Sequence, residues 1–339
     1  MHDCFETARK VRSGNRRALS RAITLAESSH PAKRAQGERI IDALAQSGIR
    51  ESLRIGLTGP PGVGKSSLLN RLGSELTKQG KRVAVLAIDP SSPRTGGSIL
   101  GDKTRMDSLI QSDLAFIRPS PAAGALGGVA ESTREVTFLC EQAGFDMIFV
   151  ETTGVGQSEV EVAELTDIFV LLVSPGSGDE LQAVKRGIME IADLIAITKS
   201  DGDLRQAAER TCAAYHGALR LFGPRKIDPD GIPCAMNVSS TDVGSLMTLW
   251  QVIEDLACWR QESGNWRQMR IDQEQRWVRS LLRRQLLSNL ESCSGLTGST
   301  VQLEAVIRKT GTVFSPDARA HLRATLAKLN QITATGNND

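Results

Sequence analysis

The sequence predicts an α/β fold: a doubly wound, mostly parallel sheet with helical N- and C-terminal extensions. Three observations carry this. Short runs rich in Val and Ile alternate with helical segments, and the runs are Leu53–Thr58, Arg82–Asp89, Leu114–Arg118, Met147–Glu151, Ile168–Val173, Leu194–Thr198 and Pro233–Val238. Several are apolar throughout, as parallel strands are when helices cover both faces. The octet Gly59-Pro60-Pro61-Gly62-Val63-Gly64-Lys65-Ser66 stands between the first run and a helical stretch that begins at Ser67, at a strand-to-helix junction where such sheets hold ligands. Outside this region helical periodicity replaces the alternation. The chain therefore divides into an N-terminal helical extension (1–50), a sheet domain (51–260) and a C-terminal helical arm (261–339).

In the N-terminal extension, Ala18, Leu19, Ala22, Ile23 and Ala26 share one helical face, and Ile40, Ile41, Leu44 and Ala45 share another, with Pro31 between them. After Ser239, the stripe Leu246, Leu249, Trp250, Ile253 and Leu256 predicts a helix that closes the sheet domain. Gln261 to Asn265 reads as a linker. Beyond it Trp277, Leu281, Leu282, Leu286 and Leu290 mark a long basic helix, by pattern alone equally suited to an intrachain core or to an interface. Ser315 and Pro316 signal a last helix.

Composition narrows the classes. The chain of 339 residues has a net charge of +2, with 24% charged and 40% hydrophobic residues, which suits a soluble globular protein and gives no reason to expect nucleic acid as a partner. No run reaches the ~18 apolar residues that a membrane-spanning helix needs. The six cysteines (Cys4, Cys140, Cys212, Cys234, Cys258 and Cys293) are scattered, as reduced cytoplasmic thiols are. Asp3 and Glu6 argue against an organelle-targeting leader. The four histidines form no cluster with cysteine at metal-ligand spacing, so no zinc or nickel site is expected.

The octet has the form of a phosphate-binding loop. Glycines let backbone N–H groups converge on phosphate oxygens without Cβ clashes, and the following helix adds the positive end of its dipole. Lys65 is placed to reach the β- and γ-phosphates, Ser66 to ligate Mg²⁺, and Ser67 to continue the cradle. Met147-Ile148-Phe149-Val150-Glu151 ends in an acid three residues before Gly154, the form of a γ-phosphate sensor whose carboxylate faces the metal side. Asp89, at the end of the second run, is a further acid for the metal shell or the attacking water. The polar, glycine-rich stretch from Asp89 to Met106 suits either an ordinary loop or a nucleotide-sensing switch, with Asp102 its best metal-side residue.

Leu194-Ile195-Ala196-Ile197-Thr198-Lys199-Ser200-Asp201 is an apolar strand that ends in the Asn/Thr-Lys-x-Asp pattern with which GTPases read their base. A carboxylate accepts from both guanine N1–H and the exocyclic amine, whereas adenine offers neither donor on that edge. Lys199 and Asp201 are thus the base readers, with Thr198 where Asn is usual. Ser239, Ser240 and Thr241 follow the last strand, suited either to meeting guanine O6 through backbone N–H groups or to capping the next helix.

Three longer strings resemble the MeaB/ArgK group of P-loop GTPases: Asp89-Pro-Ser-Ser-Pro with Thr95-Gly-Gly-Ser-Ile-Leu-Gly-Asp-Lys-Thr-Arg-Met106; Arg118-Pro-Ser-Pro with Leu126-Gly-Gly-Val-Ala130; and Glu151-Thr-Thr-Gly-Val-Gly-Gln-Ser-Glu159. The resemblance covers about residues 15 to 330 and implies a SIMIBI-type G domain. It implies a homodimeric, Mg²⁺-dependent GTPase that is a chaperone of an adenosylcobalamin-dependent acyl-CoA mutase, usually methylmalonyl-CoA mutase, and that gates cofactor loading and protects the mutase. On the matching positions it implies that Lys65 and Ser66 serve phosphate and Mg²⁺, that Asp89, Asp102 and Glu151 are the acids of the metal and γ-phosphate side, and that Asp201 reads guanine. Gln182 and Lys185, within Ser177–Lys185, match a switch that senses the mutase; the start of an amphipathic helix has the same composition. Two readings from other classes are a P-loop kinase of the amino-acid-transport type, for which no acceptor site is legible, and a nickel-insertion GTPase, for which no His-rich or Cys-based metal tract exists.

Overall fold

The computed structural model describes residues 2–89, 106–121, 128–152, 158–176, 186–223, 225, 227–292 and, singly, 302, 309, 317, 320, 321 and 324. Asp102, Gly154, Gln182, Lys185, Ser315 and Pro316 lie outside the described residues, as does the side chain of Asp89. The chain divides into two compact units, Met1–Gln273 and Glu274–Asp339.

The first unit is built on a seven-stranded sheet, all parallel, in the order β3-β2-β4-β1-β5-β6-β7. The strands are β1 (Leu53–Thr58), β2 (Val83–Asp89), β3 (Ala115–Pro121), β4 (Met147–Thr152), β5 (Ile168–Val173), β6 (Leu194–Ile197) and β7 (Cys234–Asn237). Each falls within two or three residues of a run expected from the sequence, because a buried strand needs uninterrupted apolar residues on both faces. On β4, Ile148 and Val150 feed one core while Met147 and Phe149 feed the other; on β2, Ala84, Leu86 and Ile88 oppose Val83 and Val85.

Helices α1 (His2–Arg12), α2 (Arg16–Ala26), α3 (Pro31–Gln46), α6 (Gly128–Gln142) and α9 (Arg205–Phe222) supply one core. Helices α4 (Lys65–Lys78), α5 (Asp107–Ile110) and α10 (Val243–Glu262) supply the other. Short helices α7 (Ser158–Ala163) and α8 (Arg186–Ile191) complete the crossovers. The helix α1 was not anticipated, because its polar composition hides the buried positions Ala8 and Val11. Asn15 caps α2 by accepting from the Ala18 N–H, and Pro31 opens α3 at its first turn. Gly37 of α3 lies against the α2 backbone, where a Cβ would sit 2.7 Å from the Ala26 nitrogen.

The linker expected at 261–265 is a tight break. The helix α10 runs to Glu262 and α11 (Asn265–Ser292) starts three residues later, with Gly264 at φ 78° making the turn. Trp266 and Arg270, on the first turns of α11, belong to the first unit: Trp266 is buried, Arg270 stacks on its ring at 4.7 Å, and Arg270 bonds both carboxylate oxygens of Asp167. Arg260, at 1% exposure, bonds Asp193 and Asp228. Cation and carboxylates are buried together because their attraction and hydrogen bonds offset the cost of taking each charge out of water. In the second unit, α11 continues to Ser292.

Candidate functional site

The chain leaves β1 toward β2 and leaves β5 toward β6, so the crevice between these neighbouring strands opens at their carboxyl ends. The octet lies there. Gly59 is held at φ 149°, Gly62 at 78° and Gly64 at 101°, backbone shapes that glycine alone adopts freely. Gly59 is doubly constrained, since a Cβ there would sit 2.3 Å from the Leu172 carbonyl oxygen of β5. Gly64 caps α4, whose first turn presents N–H groups with no intrahelical acceptor.

Lys65 is buried and donates from Nζ to the carbonyls of Gly59 (2.6 Å) and Pro60 (3.1 Å), folding its ammonium over the loop. Ser66 donates from Oγ to Glu151 Oε1 at 3.0 Å. Register makes that meeting possible: β1 pairs with β4, which places Leu57 beside Glu151. Thr58 and Thr152 join their hydroxyls at 2.9 Å one step further along. Asp89 ends β2 one residue past the Ile88–Thr152 pairing, so its backbone stands at the same edge. Pro60, Pro61, Val63 and Ser67 complete the loop, with Val63 buried and Pro61 and Ser67 exposed.

The second part of the site comes from β6 and β7. Thr198, at 5% exposure, directs Oγ1 to the Val63 carbonyl (2.7 Å) and the Val173 carbonyl (3.1 Å). Lys199 adopts φ 53°, rare for a residue with a side chain, and its Nζ donates to the Gly62 carbonyl at 2.9 Å. Both residues tie the segment that follows β6 to the phosphate loop. Asp201 is solvent-exposed, and Thr241 Oγ1 donates to its Oδ2 at 2.5 Å. Hydrogen bonds from Thr241 and then Ser239 hold the Asp201 carboxyl below the usual carboxylate range, so it is an acceptor at neutral pH.

The Ser239–Thr241 loop is not the helix cap. Asp242 caps α10, accepting from the Gly244 N–H. Instead Ser239 and Thr241 share a hydroxyl contact at 2.8 Å, and Thr241 N–H donates to Ser239 Oγ at 3.1 Å. Ser240 lies between them, half-buried. The sequence reading missed the Thr58–Thr152 pair and the bond from Thr241 to Asp201. Threonines are common at strand ends, and only the acceptor's position gives them meaning.

Fold and site together define the class: a P-loop nucleotide-binding protein with its ligand crevice at the carboxyl edge of a parallel sheet. A family model described as "Methylmalonyl Co-A mutase-associated GTPase MeaB" matches residues 19–294. GTPase ArgK of Escherichia coli is 43% identical over 285 residues, covering 84% of this chain and 85% of that protein. The mitochondrial methylmalonic aciduria type A homolog of Caenorhabditis elegans is 43% identical over 316 residues, covering 88% and 77%. A crystal structure of LAO/AO transport system kinase superposes with a TM-score of 0.77 at 33% identity, covering 96% of this chain and 97% of that one. The chain belongs to the MeaB family of methylmalonyl-CoA mutase-associated GTPases.

Proposed function

We propose that this protein is a Mg²⁺-dependent GTPase and the chaperone of an adenosylcobalamin-dependent acyl-CoA mutase of the methylmalonyl-CoA mutase type, gating its cofactor loading and protecting it. The observation that carries the site is the joining of the phosphate loop to the base-reading segment through Thr198 and Lys199. One rigid unit then holds both ends of a guanine nucleotide. The client is supported by the family to which the chain belongs.

In this reading the loop N–H groups and Lys65 hold the β- and γ-phosphates, and Lys65 balances charge that develops on the γ-phosphoryl group as water attacks in line. The hydroxyl of Ser66 beside the Glu151 carboxylate is an all-oxygen donor pair, which fits a hard divalent cation. Mg²⁺ supplies neutralisation of phosphate oxygens when bound, with Ser66 as a ligand and Asp89, Asp102 and Glu151 as the surrounding acids. Asp201 accepts from guanine N1–H and the amine, Lys199 lays its stem along the base, and the Ser239–Thr241 loop faces O6. Gln182 and Lys185 belong to the switch that senses the mutase. The division at 1–50, 51–260 and 261–339, with the arm as homodimer contact, and a cytoplasmic location complete the proposal. No helix among the described residues is long and apolar enough to cross a membrane.

The test is binding of purified methylmalonyl-CoA mutase under GTP, GDP and a non-hydrolysable analogue, with GTP turnover followed in parallel. The expected result is nucleotide-dependent binding and faster hydrolysis. A mutase that neither binds nor alters turnover refutes the chaperone reading, and phosphate transfer to an acceptor other than water replaces it with a kinase.

A further inference from the structure

The face formed by α1 and α3 takes no part in the nucleotide site. It lies at the other end of the sheet: Arg12 and Arg50 bond Gln142 at the end of α6, just before β4 begins. A groove runs between the two helices as two adjoining cavities of about 540 and 330 Å³, both lined by Phe5 and Ala43. Arg9, Arg12 and Arg50 line the larger cavity, and Arg39 and Asp42 line the smaller.

Three features mark the groove as a contact surface. First, its charge is unbalanced: four arginines face one carboxylate, and the guanidinium groups of Arg9 and Arg39 have no hydrogen-bond or ion-pair partner among the described residues. Second, two of the guanidinium groups are pre-positioned. Arg12 Nη1 donates to Gly48 O and Gln142 Oε1, and Arg50 Nη1 donates to Arg12 O and Gln142 O. Fixing each group by Nη1 leaves the Nε–Nη2 edge, the planar fork that grips a carboxylate with two parallel hydrogen bonds. Third, an aromatic side chain that lines both cavities stands open to solvent, Phe5 at 57% exposure. Exposed aromatic and arginine side chains together are the composition of protein–protein hot spots.

We propose that the α1–α3 groove docks an acidic segment of the client mutase, one that seats an apolar side chain beside Phe5 and carboxylates on Arg9, Arg12 and Arg50. This rests on the mutase-chaperone reading above. Asp42 at the far end favours a peptide, which offers a mixed edge, over a phosphate-rich polyanion or lipid surface, which would meet Asp42 with repulsion.

The experiment measures binding of purified methylmalonyl-CoA mutase to immobilised full-length protein, comparing the wild type with Arg9→Glu/Arg39→Glu and, separately, with Phe5→Ser. These side chains are exposed and far from the nucleotide site, so melting temperature and basal GTP turnover stay unchanged. Expected is at least a tenfold rise in Kd for each variant, with wild-type binding weakening steeply between 50 and 200 mM salt, roughly as ion-paired interfaces do. Unchanged Kd in both variants overturns the docking site while leaving the chaperone reading intact. A mutase that fails to bind the wild type overturns both. Sedimentation of the wild type with phosphatidylserine vesicles, lost in the double variant while mutase binding persists, assigns the groove to a membrane and also overturns the proposal.

Discussion

Replacing Thr198 by valine keeps the shape of a β-branched side chain and removes one hydroxyl. That hydroxyl lies 2.7 Å from the Val63 carbonyl and 3.1 Å from the Val173 carbonyl, at 5% exposure. The Val173 carbonyl keeps the Thr198 N–H at 2.8 Å, so the loss falls on Val63, in the middle of the phosphate loop. Leaving a buried carbonyl without its donor costs about 1–3 kcal/mol. For a domain of this size about 2 kcal/mol lowers Tm by roughly 4–8 °C. The same loss loosens the loop, and about 1.4 kcal/mol of lost positioning is tenfold in Kd. Isothermal titration with GTP, GDP and ATP, together with calorimetric melting, reads both effects. All three nucleotides should weaken by a similar factor, because the phosphate loop serves each and Asp201 is untouched, and Thr198→Ser should restore wild-type values. A Thr198→Val protein that melts within 1 °C of the wild type (well under the ~2 kcal/mol expected) and binds GTP within about twofold of it refutes the coupling.

Three further outcomes follow from the geometry. Asp201→Asn should lower the preference for GTP over ATP by at least about tenfold, since an amide oxygen serves only part of the two-donor guanine edge. In the wild type, guanine-specific binding should persist as pH falls past the usual carboxylate range and fail only below it, because a depressed pKa keeps Asp201 charged until the pH passes through that lowered value. Thr241→Val should move that loss upward in pH, as read by carboxyl NMR titration, and an unmoved titration would remove Thr241 from the site. Gly59→Ala should abolish nucleotide binding, because the new methyl would lie 2.3 Å from the Leu172 carbonyl oxygen; binding at wild-type strength would contradict the loop geometry. Arg260→Ala should destabilise the first unit by about 3–5 kcal/mol in urea unfolding by stripping a buried cation from Asp193 and Asp228, with GTP-over-ATP selectivity retained. A loss under ~1 kcal/mol, the range of a surface pair, would show the network to be dispensable.

Much of the candidate site's placement was legible because its signals are local. A phosphate loop needs glycines at fixed offsets from a strand and a helix, and a base-reading carboxylate needs a strand end a few residues before it. Runs of Val and Ile mark buried strands for the same short-range reason. The groove between α1 and α3 was not legible, since α1 carries a mostly polar sequence and its neighbours come from elsewhere in the chain.

The chain's own pattern determined the α/β class, the strand positions, the phosphate loop and the places of Lys65, Ser66 and Asp201 at the strand ends. Only the folded sheet decided which partners they meet. Ser66 finds Glu151 across 85 residues, Thr198 finds Val63 across 135, and Thr241 finds Asp201 across 40. The reason is physical: a hydroxyl or a carboxylate accepts many partners equally well, so its choice is set by strand order and register, which arise from burying the two faces of the sheet and not from any neighbour in sequence.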